Sequence, residues 1–120
     1  MPHLIDLSSF SLDRVAIDYS VELLFQNADR WVLVRFTEGC LEDGLTVDAA
    51  LPQSIPALLE LLHIAANHIR IGDDGRLDLA FEGGVAMHII MDTHYEAWEI
   101  VTSDQRRWVC MPGGETAVWN

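Results

Sequence analysis

The chain has 120 residues, 50% of them hydrophobic, and its 19 acidic side chains against seven basic ones give a formal net charge of -12. A chain of this length has room for one hydrophobic core, so residues 1–120 are expected to form a single domain. The hydrophobic content excludes an intrinsically disordered chain. The acid excess argues against nucleic-acid binding, because that requires basic side chains to neutralise phosphates.

The sequence has no pattern typical of a membrane or secreted protein. No window approaches the ~18 uninterrupted apolar residues of a membrane span. Residues 1–6 lack the basic region of a signal peptide. Cys40 and Cys110 show no metal or redox spacing, so we expect free, buried thiols. The expected compartment is the cytoplasm, without a membrane partner and without a cofactor.

The first ordered pattern is an alternation of apolar and polar residues from Val15 to Phe25, which predicts β-structure. Asp18–Ser20 is either a turn between two short strands or part of one long strand, and we favour the turn. Residues 26–29 have turn chemistry. The next segment, Arg30 to Phe36, is apolar on both faces, which predicts a central strand.

A single helix is predicted after residues 37–53, where the alternation breaks up. Ile55, Leu58, Leu59 and Leu62 have the i, i+3, i+4, i+7 spacing of one helical face. Ser54 is the expected N-cap. The helix is expected to be about 10 residues long and to need packing against a sheet.

Strand patterns return after the helix and resemble the first block. Segments 69–71, 77–81 and 85–91 are separated by glycine-containing turns at 72–75 and 83–84. They match the three earlier strands, and Phe81 follows Phe25 by 56 positions. The match indicates either an internal duplication or the general likeness of any two antiparallel hairpins.

Three further strands are predicted at 95–101, 106–111 and 116–119. The whole pattern predicts an α+β fold, a twisted antiparallel β-meander sheet or half-barrel. It consists of two related three-stranded blocks and C-terminal strands, with one helix packed on a face.

Two polar residues stand on apolar strand faces, which suggests structural roles. His88 shares its face with Ala86 and Ile90, and we expect a packed, hydrogen-bonded side chain rather than a metal ligand, since no histidine pair has ligand spacing. Glu96 is expected either at the sheet rim in contact with water or buried and paired with Arg106 or Arg107, because an unpaired buried carboxylate is costly.

No motif assigns a reaction to this sequence. The acidic pairs Glu42-Asp43 and Asp73-Asp74 fall in predicted turns and lack the spacing of a calcium loop. Neither a nucleophile motif nor a phosphate-binding loop is present. We therefore assign no catalytic residue and no metal site.

The C-terminal quarter carries the most specific motifs, YEAWE at residues 95–99 and PGGE-x-x-x-W at residues 112–119. In these motifs the chain resembles an uncharacterised family of small bacterial proteins that has no established catalytic residues. Its profile is also similar to that of cytoplasmic immunity proteins of bacterial toxin systems, which are small, acidic, single-domain and rich in sheet. The resemblance implies a protein that inhibits rather than catalyses.

The leading expectation is an immunity protein that binds a basic toxin domain through an acidic surface, since charge accelerates association with a cationic partner. The alternative is a non-catalytic structural or regulatory binding module that forms a homodimer. An enzyme using His88, Glu96 and Arg107 ranks third. The expected partner-binding residues are Glu38, Glu42, Asp43, Asp48, Asp73, Asp74 and Trp119.

Overall fold

A computed structural model describes residues 3–119 and contains two six-stranded antiparallel sheets with one short α-helix, which confirms the predicted α+β class. The helix α1 spans Pro56–Leu59, and 3₁₀ turns occur at Pro52–Ser54 and Glu82–Gly84. The strands are β1 (His3–Asp6), β2 (Ser11–Ile17), β3 (Val21–Asn27), β4 (Arg30–Phe36), β5 (Glu38–Leu41), β6 (Thr46–Asp48), β7 (Ala66–Ile71), β8 (Leu77–Phe81), β9 (Ala86–Ile89), β10 (Trp98–Thr102), β11 (Arg107–Cys110) and β12 (Thr116–Trp119).

The hydrophobic core lies between the two sheets. Sheet A has the order β1-β7-β8-β9-β5-β6, and sheet B has the order β12-β11-β10-β4-β3-β2. Alternate residues of the central strands are buried, and the ring centres of Phe25 and Phe81, one from each sheet, lie 5.9 Å apart. No helix among the described residues is long and apolar enough to cross a membrane.

The two predicted three-stranded blocks are present in different sheets: β7-β8-β9 lies within sheet A, and β2-β3-β4 forms one side of sheet B with β2 at its edge. The turn at Asp18–Ser20 separates β2 from β3 as expected. The first block, β2-β3-β4, continues into β5 and β6, which cross over to pair with the second block in sheet A. The second block, β7-β8-β9, continues into β10, β11 and β12, which pair with the first block in sheet B. Each half of the chain therefore completes the sheet of the other half.

The two halves meet in a reciprocal backbone pairing. Ser11 forms an isolated antiparallel bridge with Ala65, which lies 54 positions later. The amide of Leu12 donates to the carbonyl of Ile64 at 3.2 Å, and the amide of Ala66 donates to the carbonyl of Phe10 at 2.8 Å. The two bonds exchange places when each residue is replaced by its partner 54 positions away. Any antiparallel bridge has this exchange, so it does not indicate a duplication. The duplication is supported by matching bulges, because the β2–β3 register shifts at Leu12/Arg14 and the β7–β8 register shifts at Ala66/His68, also 54 positions apart.

The helix is shorter than predicted, and Ser54 does not cap it. The Ser54 hydroxyl instead donates to the carbonyl of Leu51 at 2.7 Å and accepts from the amide of Asp48 at 2.9 Å. Helical geometry ends before His63, which has a positive φ of 68° and donates its amide to the carbonyl of Leu12. The reciprocal pairing with β2 therefore recruits backbone groups that a longer helix would use internally.

Strands β1, β5 and β6 were not predicted. In β5 the inward-facing position before Leu41 is Gly39, which contributes no apolar side chain to the alternation. A Cβ atom at Gly39 would lie 2.6 Å from Cε of Met87, so the strand packs closely on the Met87 side chain. Close packing at a glycine removes the hydrophobic signal by which a strand is recognised in the sequence.

The turns of two hairpins, one from each sheet, are in contact through buried groups. The Trp98 indole donates to the carbonyl of Gly75 at 2.8 Å. A Cβ atom at Gly75 would lie 2.6 Å from the carbonyl oxygen and 2.7 Å from Cα of Gly114. The β7–β8 turn is therefore tightly packed against the β11–β12 turn.

This contact predicts different effects for two glycines with the same backbone conformation. Gly75 has a φ of +85° and Gly83 a φ of +84°, but a Cβ at Gly83 would meet no atom within 4 Å. We expect Gly83→Ala to lower the free energy of unfolding by about 1 kcal/mol, through backbone strain alone. Gly75→Ala should lower it by about 3 kcal/mol or more, because the strain is joined by a backbone clash. Urea unfolding measures both, and equal losses would contradict the packing.

Candidate functional site

The candidate site is an open groove of about 460 Å³ on one end of sheet A. Three segments form its walls: Leu41–Asp43 at the β5–β6 turn, Ala57–Ile64 from α1 onward, and the turn from Glu82 to Val85. Its floor is apolar and its rim is acidic. We call it the acidic groove, and its lining residues are Leu41, Glu42, Asp43, Ala57, Glu60, Leu61, Ile64, Glu82, Gly84 and Val85.

Backbone hydrogen bonds hold the walls of the acidic groove together. The amide of Glu42 donates to the carbonyl of Ala86 at 3.0 Å, and the amide of Glu82 donates to the carbonyl of Ala65 at 2.9 Å. Gly83 and Gly84 both have positive φ, which lets the third wall turn sharply after β8. The groove therefore rests on paired backbone rather than on free loops.

The floor exposes large aliphatic side chains within a concave surface. Leu41 and Leu61 belong to the core, whereas Ile64 and Val85 are 36% and 37% exposed. Apolar side chains gathered in a concavity are typical of binding sites. The groove can therefore bury apolar groups of a partner.

The rim supplies four carboxylates, Glu42, Asp43, Glu60 and Glu82, and none of them forms an ion pair within residues 3–119. Asp43 accepts the amide of Leu45 at 3.1 Å, which orders the turn without neutralising the charge. No lining residue is basic. The negative potential of the rim therefore remains available to a cationic partner.

Of the seven predicted partner-binding residues, the acidic groove includes two, Glu42 and Asp43. Glu38 and Asp48 are directly opposite each other on β5 and β6, on the outer face of sheet A. Like charges in opposite positions destabilise a strand pair. These four acidic residues surround one edge of sheet A, and Glu38 lines a separate shallow pocket of about 190 Å³.

Asp73 and Asp74 are not part of this surface. They lie in the β7–β8 turn, at the end of β8 opposite to the acidic groove. Asp74 accepts the amide of Arg76 at 3.0 Å, and Asp73 lines a cleft with His3 and Trp108. The structure places the two acidic pairs of the sequence at opposite ends of one sheet.

Trp119 lies on β12 of sheet B and is not part of the acidic groove. It is 48% exposed, and the guanidinium of Arg107 lies 5.1 Å from the centre of its ring. Arg107 also donates to Glu99, which accepts from Arg35 at 2.6 Å. Arg35 pairs in turn with Glu22 at 3.1 Å. The outer face of sheet B thus carries a row of alternating charges that neutralise one another.

Arg107, one of the two arginines expected to pair with Glu96, pairs with Glu99 instead. Glu96 is exposed and precedes β10, so it lies at the rim in contact with water, the first of the two alternatives. Arg107 binds Glu99, while Arg106 pairs with Asp104 at 3.1 Å. Strict alternation assigned the wrong face to Glu96 because the strand begins only at Trp98.

His88 is half-buried on the outer face of sheet A, and its imidazole makes no hydrogen bond within the described chain, in contrast to expectation. It lies directly opposite Cys40 on β5 and Asp78 on β8. No hydrogen bond joins the Cys40 thiol to this imidazole, although an activated nucleophile requires one. Within residues 3–119, no group of three or more His, Cys, Asp or Glu side chains could hold a metal ion.

Sequence reasoning missed Glu60, Ile64, Glu82 and Val85. The helical periodicity identified the buried side of α1 but gave Glu60 no role. Glu82 and Val85 flank a glycine turn, and turn chemistry alone does not indicate a binding surface. The available signal is the absence of arginine and lysine between Arg35 and Arg70 and between Arg76 and Arg106, the two stretches that contain the missed residues.

Comparison with known proteins identifies one family. The profile of a family of unknown function (DUF6188) matches residues 3–120. No curated protein and no solved structure shows significant similarity to the chain.

The two cysteines should differ sharply in reactivity. Cys110 is fully buried, and burial raises the pKa of its thiol, whereas Cys40 is half-buried on an outer face. We expect iodoacetamide at pH 8 to alkylate Cys40 and to modify Cys110 at least about a hundredfold more slowly, since Cys110 must first be exposed by unfolding. Mass spectrometry of the native and urea-unfolded chain measures both rates. Equal native rates would contradict the burial of Cys110.

Proposed function

The chain belongs to the DUF6188 family, whose function is unknown, and from its charge and geometry we propose that it is a cytoplasmic immunity protein. It binds a basic toxin domain through its acidic surface and blocks the toxin by occlusion, without catalysis. The acidic groove, an apolar floor rimmed by four carboxylates without ion pairs, is the observation that carries this proposal.

The distribution of charge supports a cationic partner. The chain has seven basic side chains, all arginine. Four of them form ion pairs with carboxylates of the same chain, and a fifth, Arg30, lies over the ring of Phe10. Most of the 19 acidic side chains therefore have no cationic partner within residues 3–119. An acidic body of this kind accelerates encounter with a basic protein, and salt screens the effect.

The groove supports occlusion as the mode of inhibition. Charge alone gives fast but weak association, whereas affinity requires buried apolar contacts at the centre of the interface. Ile64 and Val85 offer such contacts, and the surrounding carboxylates offer charged contacts at the rim. A partner held in this way would have its basic surface covered by the chain.

A second candidate, a homodimeric binding module, is favoured by the edge of sheet B. Within the described chain β12 pairs only with β11, and its Val118 and Trp119 are 55% and 48% exposed. Exposed apolar strand edges favour pairing with another chain. Light scattering of the purified protein tests this alternative. A measured mass of twice the 13.5 kDa of one chain would favour the dimer if Val118→Lys reduces it to the mass of a single chain.

The immunity proposal predicts a partner that is basic, salt-sensitive and toxic. We expect the tagged chain to retain one basic polypeptide from lysate of its own cells, with elution only at a salt concentration well above physiological. Expression of that polypeptide alone should arrest growth, and co-expression of the chain should restore it. A neutral or acidic partner, or a partner without toxicity, would overturn the proposal.

Matched variants show whether the contact is local. Glu42→Lys combined with Glu60→Lys should weaken retention by about a hundredfold, because two favourable charge contacts become repulsive. Asp18→Lys combined with Asp29→Lys changes net charge equally at two exposed turns outside the groove. Its effect should be limited to about tenfold through the weaker long-range field. Equal losses from both variants would show that net charge, and not this surface, determines binding.

A further inference from the structure

One pair of equivalent positions in the two halves of the chain differs in exposure to solvent. Phe10 and Ile64 are equivalent because each lies two residues before the matching bulge of its own half, at Leu12 and Ala66. Phe10 is only 6% exposed, and the guanidinium of Arg30 lies 5.2 Å from the centre of its ring. Ile64 is 36% exposed and contributes to the apolar floor of the acidic groove. One half thus covers its apolar side chain with a cation, and the other leaves it open.

The difference arises from the lengths of two equivalent hairpins. The β3–β4 hairpin extends beyond the Phe25–Val32 pair by two further pairs and ends at Asn27 and Arg30. The β8–β9 hairpin closes directly after Phe81 through residues 82–84, two of them glycines. The second half therefore has no residue equivalent to Arg30. The acidic groove is the space that the shorter hairpin leaves open.

We propose that the acidic groove binds a cationic segment of the protein partner in which arginine or lysine flanks an apolar side chain. The segment packs its apolar side chain and the aliphatic stems of its cations over Ile64, which is left open where Arg30 covers Phe10 in the other half, and its charged ends reach the carboxylates of the rim. This inference rests on the proposed function, because it names the part of the basic partner that the groove recognises.

The chemistry of the groove selects this segment over other ligands. Lysine and arginine have apolar stems and charged ends, so they cover an apolar floor while their charge remains at a wet rim. Glu60 and Glu82 belong to different walls, so cations on both sides of the apolar side chain find a carboxylate. An anionic segment would be repelled by all four carboxylates, and a purely apolar segment would leave them without partners.

A short peptide tests the groove independently of any natural partner. The probe is acetyl-Gly-Arg-Leu-Arg-Gly-amide, titrated into the ¹⁵N-labelled full chain while amide chemical shifts are followed. We expect saturable shifts confined to the three wall segments, and about tenfold weaker binding when salt is raised from about 50 to about 500 mM. The peptides acetyl-Gly-Arg-Gly-Arg-Gly-amide and acetyl-Gly-Glu-Leu-Glu-Gly-amide should bind at least about tenfold more weakly. Shifts scattered over the surface, or equal binding of all three peptides, would overturn the inference.

Variants of the groove sharpen the test. Glu60→Gln combined with Glu82→Gln should weaken peptide binding about tenfold, whereas Asp18→Asn combined with Asp29→Asn should weaken it less than about twofold. Val85→Arg places a cation inside the groove, as Arg30 does in the other half, and should abolish the peptide-induced shifts while the spectrum remains that of a folded chain. Undiminished peptide binding to Val85→Arg would contradict the proposed site.

The outcomes separate this inference from the immunity proposal. If the peptide binds as expected but no toxic partner exists, the recognition chemistry stands and the immunity function fails. If a toxic partner is retained equally by the wild-type chain and by Glu60→Gln combined with Glu82→Gln, immunity stands and the groove is not the site of recognition.

Discussion

The backbone pairing between residues 10–12 and 64–66 is the contact on which the rest of this structure depends. It joins the start of β2 in sheet B to the start of β7 in sheet A, so it links the two halves of the chain and the two sheets. Because β5 and β6 need β9, and β10 needs β4, neither sheet can form from one half of the chain. Within residues 3–119, seven of the ten strand pairs join consecutive strands, and the other three, β1–β7, β4–β10 and β5–β9, join the two halves. Such non-local pairing slows folding, since distant segments must meet before their contacts stabilise them.

The same pairing explains where the candidate site lies. It ends the helical segment at His63 and holds Ile64 at the surface, next to a core that contains Leu61. In the other half a longer hairpin covers the equivalent Phe10 with Arg30. A departure from internal symmetry, a hairpin shorter by two residue pairs, is thus sufficient to open a groove without loosening the fold.

The two outer faces handle charge in different ways. On sheet B, Glu22, Arg35, Glu99 and Arg107 alternate in sign, so each charge has an opposite neighbour. At the edge of sheet A, Glu38 faces Asp48 and the nearby groove adds four more carboxylates without ion pairs. Self-repulsion of this kind lowers stability. A cationic partner would relieve the repulsion at sheet A, whereas the charges on sheet B are already neutralised by their neighbours.

The sequence by itself determined the local elements, because strand alternation, helical spacing and turn chemistry depend on near neighbours. The runs from Val15 to Phe25 and from Leu77 to Phe81 predicted strands, and the likeness of their blocks indicated either a duplication or the general likeness of antiparallel hairpins. Strand β5 escaped prediction because Gly39 replaces an inward side chain with a close backbone approach. Only the tertiary structure decided which acidic residues share a surface. Glu42, Glu60 and Glu82 come together, while Asp73 and Asp74 lie at the other end of sheet A. Strand exchange between the halves brings distant segments together, and no local pattern records which segments will meet.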